Sequence, residues 1–168
     1  LFDTPELAVE VNVLGTLRVL RACEQFGLRY VGITMPPVFD SVYTATKVCA
    51  TRLASAWHHS KGVPVSHVRA YNAYGPGQAH GPGHPQKIIP TFATEAWAGR
   101  PIPVWGDGEQ TVDLIYSGDL GRMLVAALEH GDDITFDGGT GRAWTVNEVA
   151  EYVLLITGSS AGIEYLPM

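Results

Sequence analysis

The amino-acid sequence predicts an α/β fold, and three observations carry the prediction. A short apolar strand over residues 29–34, a helix over 43–60 and a second strand over 63–69 follow in the order of a right-handed crossover unit. The second strand is mostly apolar, as a parallel strand covered on both faces is. Beyond it, shorter helices and strands alternate less regularly, which is typical of an α+β subdomain. We therefore expect a doubly wound parallel sheet over residues 1–71 and a small α+β subdomain over 72–168.

The composition is that of one soluble globular domain without a nucleic-acid or membrane partner. Of the 168 residues, 46% are hydrophobic and 17% are charged, with a net charge of −6 and a pI near 5.4. Nucleic acids and anionic membranes both require a basic surface. No apolar run reaches transmembrane length, and no signal segment opens the chain. Cys23 and Cys49 lie in predicted helices without metal-ligand spacing, which predicts reduced core thiols in a cytoplasmic protein.

The first predicted element is a long helix. Thr4 is placed as its N-cap, and Pro5 stands at the first helical position, followed by an acid in the first turn. Apolar residues then recur on more than one face as far as Phe26, so we expect a helix that is interior or part of an interface. Gly27 sits where a left-handed C-cap belongs.

The next elements are the strand, helix and strand of the crossover unit. The first strand must end at Met35, because the two prolines that follow remove donors from a strand ladder. The helix that starts near Tyr43 continues to about residue 60, and Gly62 is its expected stop.

The segment 72–85 is predicted to be a loop, since half of its residues are Gly or Pro and no periodicity survives. Two histidines in it, His80 and His84, are four residues apart, a spacing that would suit a metal ion on a helix. The Gly81-Pro82-Gly83 segment between them forbids a helix, so we expect a solvated loop and no metal site.

After the loop, a helix over 86–98 is expected to precede two strands, over 101–105 and 111–116, which the Gly106–Gly108 turn would join as a hairpin. The remaining predicted elements are a helix over 119–129, a strand over 134–137, a helix opened by the capping box of Thr145 and Glu148, and a last strand over 163–166.

A tyrosine and a lysine four residues apart, Tyr43 and Lys47, open the helix of the crossover unit. At this spacing both side chains leave one helix face. A free phenol has a pKa of about 10 and is a poor base at neutral pH, but an ammonium group beside it favours the phenolate. The pair is therefore a candidate for proton transfer, and the alternative is a Tyr and a Lys on a solvated helix face.

Four blocks of the sequence occur in a recognisable order: Val11–Leu20, Ser41–Lys47, Val68–Gln78 and Pro103–Tyr116. Together they resemble the extended short-chain dehydrogenase/reductase family, in its NAD-dependent nucleotide-sugar epimerase/dehydratase branch. The resemblance covers nearly the whole chain but implies only the C-terminal part of the family's Rossmann-like fold. Those enzymes begin with a strand, a glycine-rich dinucleotide turn and further βα units, which these 168 residues do not contain.

The resemblance implies roles for individual residues. Tyr43 would act as the base toward a sugar hydroxyl, Lys47 would assist it and contact the nicotinamide ribose, and Thr34 would supply a strand-end hydroxyl. Asn12 would lie near the nicotinamide, although a tie between helices is an equally good interpretation. The implied cofactor contacts are Asn12, Tyr43, Lys47, Ala70 and Tyr71, and the implied substrate contacts are Asn72, Lys87, Ile88, Val104 and Trp105.

The chain departs from the family pattern at three places. Met35 stands where the family has a Ser or Thr, and Thr34 is one residue early, which on a strand reverses the side-chain direction. Pro36 and Pro37 replace the Asp-Glu pair that dehydratases use, which puts 4,6-dehydratase chemistry in doubt. Val112 replaces an arginine that grips the nucleotide diphosphate, and a valine offers no such hydrogen bonds.

Two functions of different class remain open on this sequence. The first is an NAD- or NADP-dependent nucleotide-sugar epimerase, dehydratase or related oxidoreductase, or a fragment of one. The second is a catalytically silent module that binds a sugar nucleotide or drives oligomerisation. Without the glycine-rich turn, we do not expect this chain alone to bind NAD or NADP tightly. We expect a homodimer or larger assembly, because the family pairs the two long helices across a two-fold axis.

Overall fold

The computed structural model describes residues 4–35, 40–81, 84 and 86–168 and divides into two compact units. The first unit comprises residues up to Tyr71 together with Gly118–Gly138, and the second comprises Asn72–Ser117 with Gly139–Met168. Segment 118–138, expected in the second subdomain, belongs to the first unit, because its strand pairs with the sheet there.

Helices and strands alternate along most of the chain. The helices are α1 (Pro5–Ala8), α2 (Gly15–Phe26), α3 (Val42–Lys61), α4 (Ile88–Trp97), α5 (Ser117–Ala127) and α6 (Val146–Thr157). The strands are β1 (Tyr30–Thr34), β2 (Val65–Ala70), β3 (Asn72–Tyr74), β4 (Ile102–Trp105), β5 (Thr111–Val112), β6 (Leu114–Tyr116), β7 (Asp132–Gly138), β8 (Trp144–Thr145) and β9 (Ile163–Leu166).

The sheet of the first unit is parallel, in the order β1-β2-β7. Thr34 lies opposite Arg69, and Arg69 lies opposite Asp137, so the three strands end at the same edge of the sheet. The predicted crossover unit is confirmed, because α3 connects β1 to β2 in this parallel pair. Ligands of open parallel sheets bind beyond such a carboxyl edge.

The first long helix differs from the single α-helix that the sequence predicts. Between α1 and α2 the backbone forms a π-helical segment over Val9–Leu14, and the side chain of Thr4 makes no capping hydrogen bond. The end of α2 is as expected, because Gly27 adopts the left-handed conformation with φ 63°. A π-helical turn inside an α-helix often occurs at functional sites.

Helix α3 has well-defined ends. The Ser41 hydroxyl accepts a hydrogen bond of 3.1 Å from the Thr44 N–H, and Gly62 closes the helix with φ 68°. Buried side chains of α2, α3, β2 and the segment between α3 and β2 form the core of this unit. These are Leu20, Cys23, Ala54, Val63 and Val65.

A β-bulge interrupts the pairing of β2 with β7. Val65 pairs with Asp132 and Ser66 pairs with Ile134, which leaves Asp133 without a ladder partner and with φ 56°. The bulge directs the Asp133 carboxylate toward α3, where the Ser55 hydroxyl donates a 2.7 Å hydrogen bond to it. This contact fixes the strained residue against the helix.

The second unit contains two-stranded pairings that the sequence did not predict. The expected hairpin between 101–105 and 111–116 is wrong: β4 pairs in parallel with β9, β5 pairs antiparallel with β8, and β6 pairs in parallel with β3. The strand β3 also lies at the start of the segment expected to be a loop. The two glycines of the 106–108 turn do have positive φ, so the chain turns there without pairing its flanks.

The core of the second unit lies between helices α4 and α6 and strand β4. The predicted capping box opens α6, with Thr145 and Glu148 each bonding the other's backbone. The expectation of two core thiols holds for Cys23 alone, because Cys49 is exposed on α3. The buried residues of this core are Phe92, Ala96, Ile102, Val104, Val146, Val149 and Ala150.

Candidate functional site

Tyr43 and Lys47 lie in the first half of α3, and both side chains are half-buried. The Ser41 cap fixes the start of this helix, so the pair stands one turn apart on its first turns. Burial lowers the pKa of the Lys47 ammonium, because it removes part of the water that solvates the charge. An incompletely hydrated ammonium interacts more strongly with a neighbouring negative charge.

Asn12 ties the π-helical segment to α3. Its side-chain amide donates a 2.9 Å hydrogen bond to the Thr46 hydroxyl, which itself donates to the carbonyl of Tyr43 at 2.8 Å. This is the helix tie that was one of the two interpretations of Asn12. A contact between Asn12 and a cofactor stays a prediction.

Thr34 is buried at the end of β1 and accepts a 2.9 Å hydrogen bond from the hydroxyl of Thr51 on α3. Thr51 follows Tyr43 by eight residues, which span about 12 Å of an α-helix. The structure therefore brings Thr34 to the middle of α3 and away from the turn that carries Tyr43. Met35 and Thr34 both line a polar cavity beside Thr51, while Pro36 and Pro37 lie outside the described residues.

Ala70 is the last residue of β2 and Tyr71 follows it, so both lie at the carboxyl edge of the sheet, and their contact with a cofactor stays a prediction. Ala70 pairs with Gly138, and the backbone N–H of Tyr71 donates to the Gly138 carbonyl at 3.2 Å. Beside them, Arg69 and Asp137 form an ion pair of 2.7 Å. Tyr71 is exposed, so its ring is accessible to a ligand.

The second unit contains an open cavity of about 280 Å³, whose walls are mainly apolar and aromatic. Four of the five predicted substrate residues line this cavity: Lys87, Ile88, Val104 and Trp105. The remaining lining residues are Gln86, Thr91, Phe92, Pro103, Gln110 and Val146. Sequence reasoning missed Thr91, although a hydroxyl within the apolar stretch of residues 88–93 was a signal for it.

Asn72, the fifth predicted substrate residue, does not line that cavity. Its amide donates a 3.3 Å hydrogen bond to the carbonyl of Asp113. The Asp113 carboxylate in turn accepts bonds from the N–H and hydroxyl of Thr140, at 2.9 and 2.7 Å, and from the N–H of Gly141 at 2.9 Å. Burial alone would raise the pKa of Asp113, but these three bonds outweigh it and the pKa is lowered.

Val112, which stands where the resemblance implies an arginine, is half-buried and packs against the apolar core of the second unit. Its partner across the β5–β8 ladder is Trp144. The guanidinium of Arg142 lies 3.4 Å from the centre of the Trp144 ring, in a cation–π contact. Val112 therefore contributes packing and presents no charge to a phosphate.

Residues 4–35, 40–81, 84 and 86–168 contain no group of three or more His, Cys, Asp or Glu side chains arranged to hold a metal ion. A helix that is long and apolar enough to cross a membrane is also absent from these ranges.

The parallel sheet, the crossover helix with its Tyr-Lys pair and the small α+β unit define the C-terminal part of a Rossmann-like α/β fold. The model of the NAD dependent epimerase/dehydratase family matches residues 2–138. This match covers more than half of the chain, and the chain therefore belongs to that family.

Individual relatives agree with this assignment. The UDP-glucuronate 4-epimerase of Thermodesulfobacterium geofontis is 31% identical over 182 residues, covering 98% of this chain and 55% of that protein. The dTDP-glucose 4,6-dehydratase of Xanthomonas campestris pv. campestris is 29% identical over 156 residues, covering 77% and 43%. The structure of Thermus thermophilus UDP-glucose 4-epimerase with NAD has a TM-score of 0.80 at 26% identity, covering 99% and 60%. The chain thus spans about half the length of the curated relatives it matches.

Proposed function

We propose that this chain is the C-terminal part of an NAD- or NADP-dependent nucleotide-sugar epimerase/dehydratase-type oxidoreductase. The observation that carries the proposal is the half-buried pair Tyr43 and Lys47, one turn apart at the capped start of α3. Hydrogen bonds from Asn12 through Thr46 to the Tyr43 carbonyl hold this turn in position. A capped and braced helix start suits a pair that must stay in register during proton transfer.

In the proposed mechanism Tyr43 accepts the proton of a sugar hydroxyl as the carbon that bears it is oxidised. The Lys47 ammonium stabilises the phenolate form of Tyr43, which accepts this proton. The Tyr43 phenol then returns a proton to the sugar oxygen when the carbon is reduced again. General base catalysis of this kind contributes about 10² to 10⁴ in rate.

The nicotinamide cofactor supplies the hydride acceptor for this chemistry when it is bound. Tyr43, Lys47, Ala70 and Tyr71 suit its nicotinamide ribose end, because they combine a phenol, an ammonium and the carboxyl end of a parallel strand. The pyrophosphate requires a glycine-rich turn before a helix, which these 168 residues lack. We therefore expect only weak NAD or NADP binding by this chain alone.

The proposed substrate is a nucleotide sugar held by the cavity of the second unit. The names of the relatives include UDP-glucuronate and dTDP-glucose, both nucleoside diphosphate sugars. Lys87 contributes a cation at the cavity, and Ile88, Val104 and Trp105 contribute apolar and aromatic walls. Such a mixture suits a ligand with a flat ring next to charged groups.

Three further features bear on the reaction class, the cellular compartment and the oligomeric state that we propose. Prolines at positions 36 and 37, in place of the acidic pair of dehydratases, favour an isomerase of the epimerase type over a lyase. The cysteine usage favours the cytoplasm. The helices α1–α2 and α3 expose apolar side chains, which favours a homodimer or larger assembly.

A second function, that of a catalytically silent sugar-nucleotide-binding module, is favoured by Val112. This residue packs into the apolar core where an arginine would contact a diphosphate. A silent module would bind the nucleotide sugar without any need for Tyr43.

The test is Tyr43→Phe in the assembled enzyme, in which these 168 residues are joined to the dinucleotide-binding half of the Thermodesulfobacterium geofontis epimerase. We expect kcat to fall by about 10² to 10⁴, because the phenolic hydroxyl carries the proton, while the Kd for UDP-glucuronate stays within about twofold. Turnover is measured by following conversion of UDP-glucuronate, and binding by calorimetry.

The matched control is Tyr152→Phe, which removes a phenolic hydroxyl from an exposed residue of α6. This variant should retain full turnover. Equal turnover by Tyr43→Phe and Tyr152→Phe would exclude the assigned role of Tyr43. An assembled enzyme that binds UDP-glucuronate but converts none of it would support the silent module.

A further inference from the structure

Thr91 carries a buried hydroxyl that has no hydrogen-bond partner in the part of the chain that the structure describes. The residue is only 6% exposed and lies in the first turn of α4. Its backbone N–H makes the ordinary helical bond, at 3.0 Å to the carbonyl of Lys87. The side-chain hydroxyl makes none, although threonines in helices often bond to a preceding carbonyl.

The unpaired hydroxyl belongs to the wall of the cavity in the second unit. A buried polar group without a partner destabilises the folded protein, and valine would fill the same volume without this penalty. A hydroxyl is useful at such a position when a ligand completes its hydrogen bonds.

The size and the lining of the cavity indicate which part of a ligand enters. About 280 Å³ is at the lower end for a whole ligand pocket, so the cavity suits one ring of a larger molecule. Phe92, Val104 and Trp105 provide flat and apolar walls, which suit a heteroaromatic ring better than a diphosphate. A hydroxyl can donate to a ring nitrogen or carbonyl oxygen and can accept from a ring N–H.

We infer that Thr91 is a specificity-determining residue that hydrogen-bonds the polar edge of the pyrimidine base of the nucleotide sugar. This inference rests on the proposed function, because it takes a nucleotide sugar as the ligand. It assigns to Thr91 a binding role that neither its spacing nor the family resemblance indicated.

The experiment compares Thr91→Val with the unchanged 168-residue chain, titrating each with UDP and with inorganic pyrophosphate by calorimetry. Loss of one neutral hydrogen bond should weaken UDP binding by about fivefold to tenfold. Affinity for pyrophosphate, which has no base, should not change. Thr91→Ser retains a hydroxyl and should keep most of the UDP affinity, and Thr91→Ala is a second variant without the hydroxyl.

The matched control is Ser66→Ala, which removes a second buried hydroxyl without a partner among the described residues, away from this cavity. Both Thr91→Val and Ser66→Ala should keep or raise the thermal midpoint of the ligand-free chain, since each removes an unpaired buried group. Only the change at Thr91 should alter UDP affinity.

Three outcomes would overturn the inference, and they differ in what else they affect. Equal UDP affinity in the unchanged chain, Thr91→Val and Thr91→Ala would show that Thr91 does not bind the base, and would leave the proposed function intact. An equal loss of UDP and pyrophosphate affinity removes the assignment to the base. If the unchanged chain shows no saturable UDP binding, this chain does not bind nucleotide sugars, and the inference about Thr91 is wrong as well.

Discussion

At the scale of single residues, two threonines fix the helix turns that carry the Tyr-Lys pair. Thr46 bonds the Tyr43 carbonyl and receives the amide of Asn12, and Thr51 bonds the Lys47 carbonyl at 3.1 Å and donates to Thr34. Each hydroxyl thus links a backbone carbonyl of α3 to another element. The orientation of the pair therefore depends on polar contacts within the first unit as well as on helical spacing.

His67 should make the stability of the protein depend on pH below neutrality. The side chain is 2% exposed, its Nε2 lies 3.7 Å from a carboxylate oxygen of Asp133, and its ring packs edge-on against Tyr30. Burial lowers the pKa of His67, and the Asp133 carboxylate opposes this only in part. The unfolded chain therefore binds a proton first, and stability is lost as pH falls below about 6.5.

This expectation is tested by urea unfolding at pH 7.5 and at pH 5.5. The free energy of unfolding should fall more between these pH values in the unchanged chain than in His67→Gln, which has no titrating ring. His130→Gln, at an exposed histidine of the same unit, should behave like the unchanged chain. Parallel pH profiles for the chain and His67→Gln would contradict the prediction.

At the scale of elements, Arg29 binds the turn that follows α5 from a distant part of the chain. Its Nη1 donates to the carbonyls of Leu128, Glu129 and His130, at 3.1, 2.8 and 2.7 Å. These carbonyls belong to the turn after α5, and a cation beside them satisfies backbone acceptors that lie outside the helix. The start of β1 is thereby connected to the segment between α5 and β7.

Arg29→Met should lower the free energy of unfolding by about 1 kcal/mol, because three charge-assisted bonds at an exposed site are lost. Urea unfolding at neutral pH measures this value. Arg21→Met, at an exposed arginine of α2 without a side-chain bond among the described residues, is the control and should cost less than half as much. Equal losses in both variants would show that the carbonyl contacts do not matter.

Among the helices and strands, some features were predictable from the sequence and others were not. Helix ends were predictable where a local signal decides them, as at Gly62 and at the capping box of Thr145. The hairpin was wrong because Gly106 and Gly108 specify a turn but not the strand that pairs with β4. That choice depends on β9, which lies far along the chain, and on burial of the apolar residues of β4.

Some features of the candidate site were also predictable from the sequence, and others were not. The spacing of Tyr43 and Lys47 places them on one helix face without tertiary information. The bonds of Thr46 and Thr51, the cavity position of Thr91 and the displacement of Thr34 from the Tyr43 turn depend on which elements pack together. A hydroxyl forms short, directional bonds, so its partner cannot be predicted without the positions of both elements.

At the scale of the whole molecule, the first unit exposes apolar side chains on two packed helical segments. Leu7, Val11 and Leu14 are exposed on the first segment, and Val11 is 58% exposed. On α3, Val42, Ala45, Val48 and Cys49 line an open surface cavity of about 720 Å³. Apolar surface of this kind on neighbouring helices is typical of a protein–protein interface.

We expect the chain to form a dimer through this helical surface, and Ala45→Glu to shift it toward monomer. A charge placed at the centre of a two-fold interface is introduced twice, and both carboxylates would be desolvated without a partner. Light scattering at micromolar concentration measures the molar mass of each species. Val125→Glu places the same charge at a 66% exposed residue of α5 and should leave the mass unchanged. A monomeric unchanged chain, or a dimer that persists in Ala45→Glu, would contradict the use of this surface, since each buried carboxylate without a partner costs several kcal/mol.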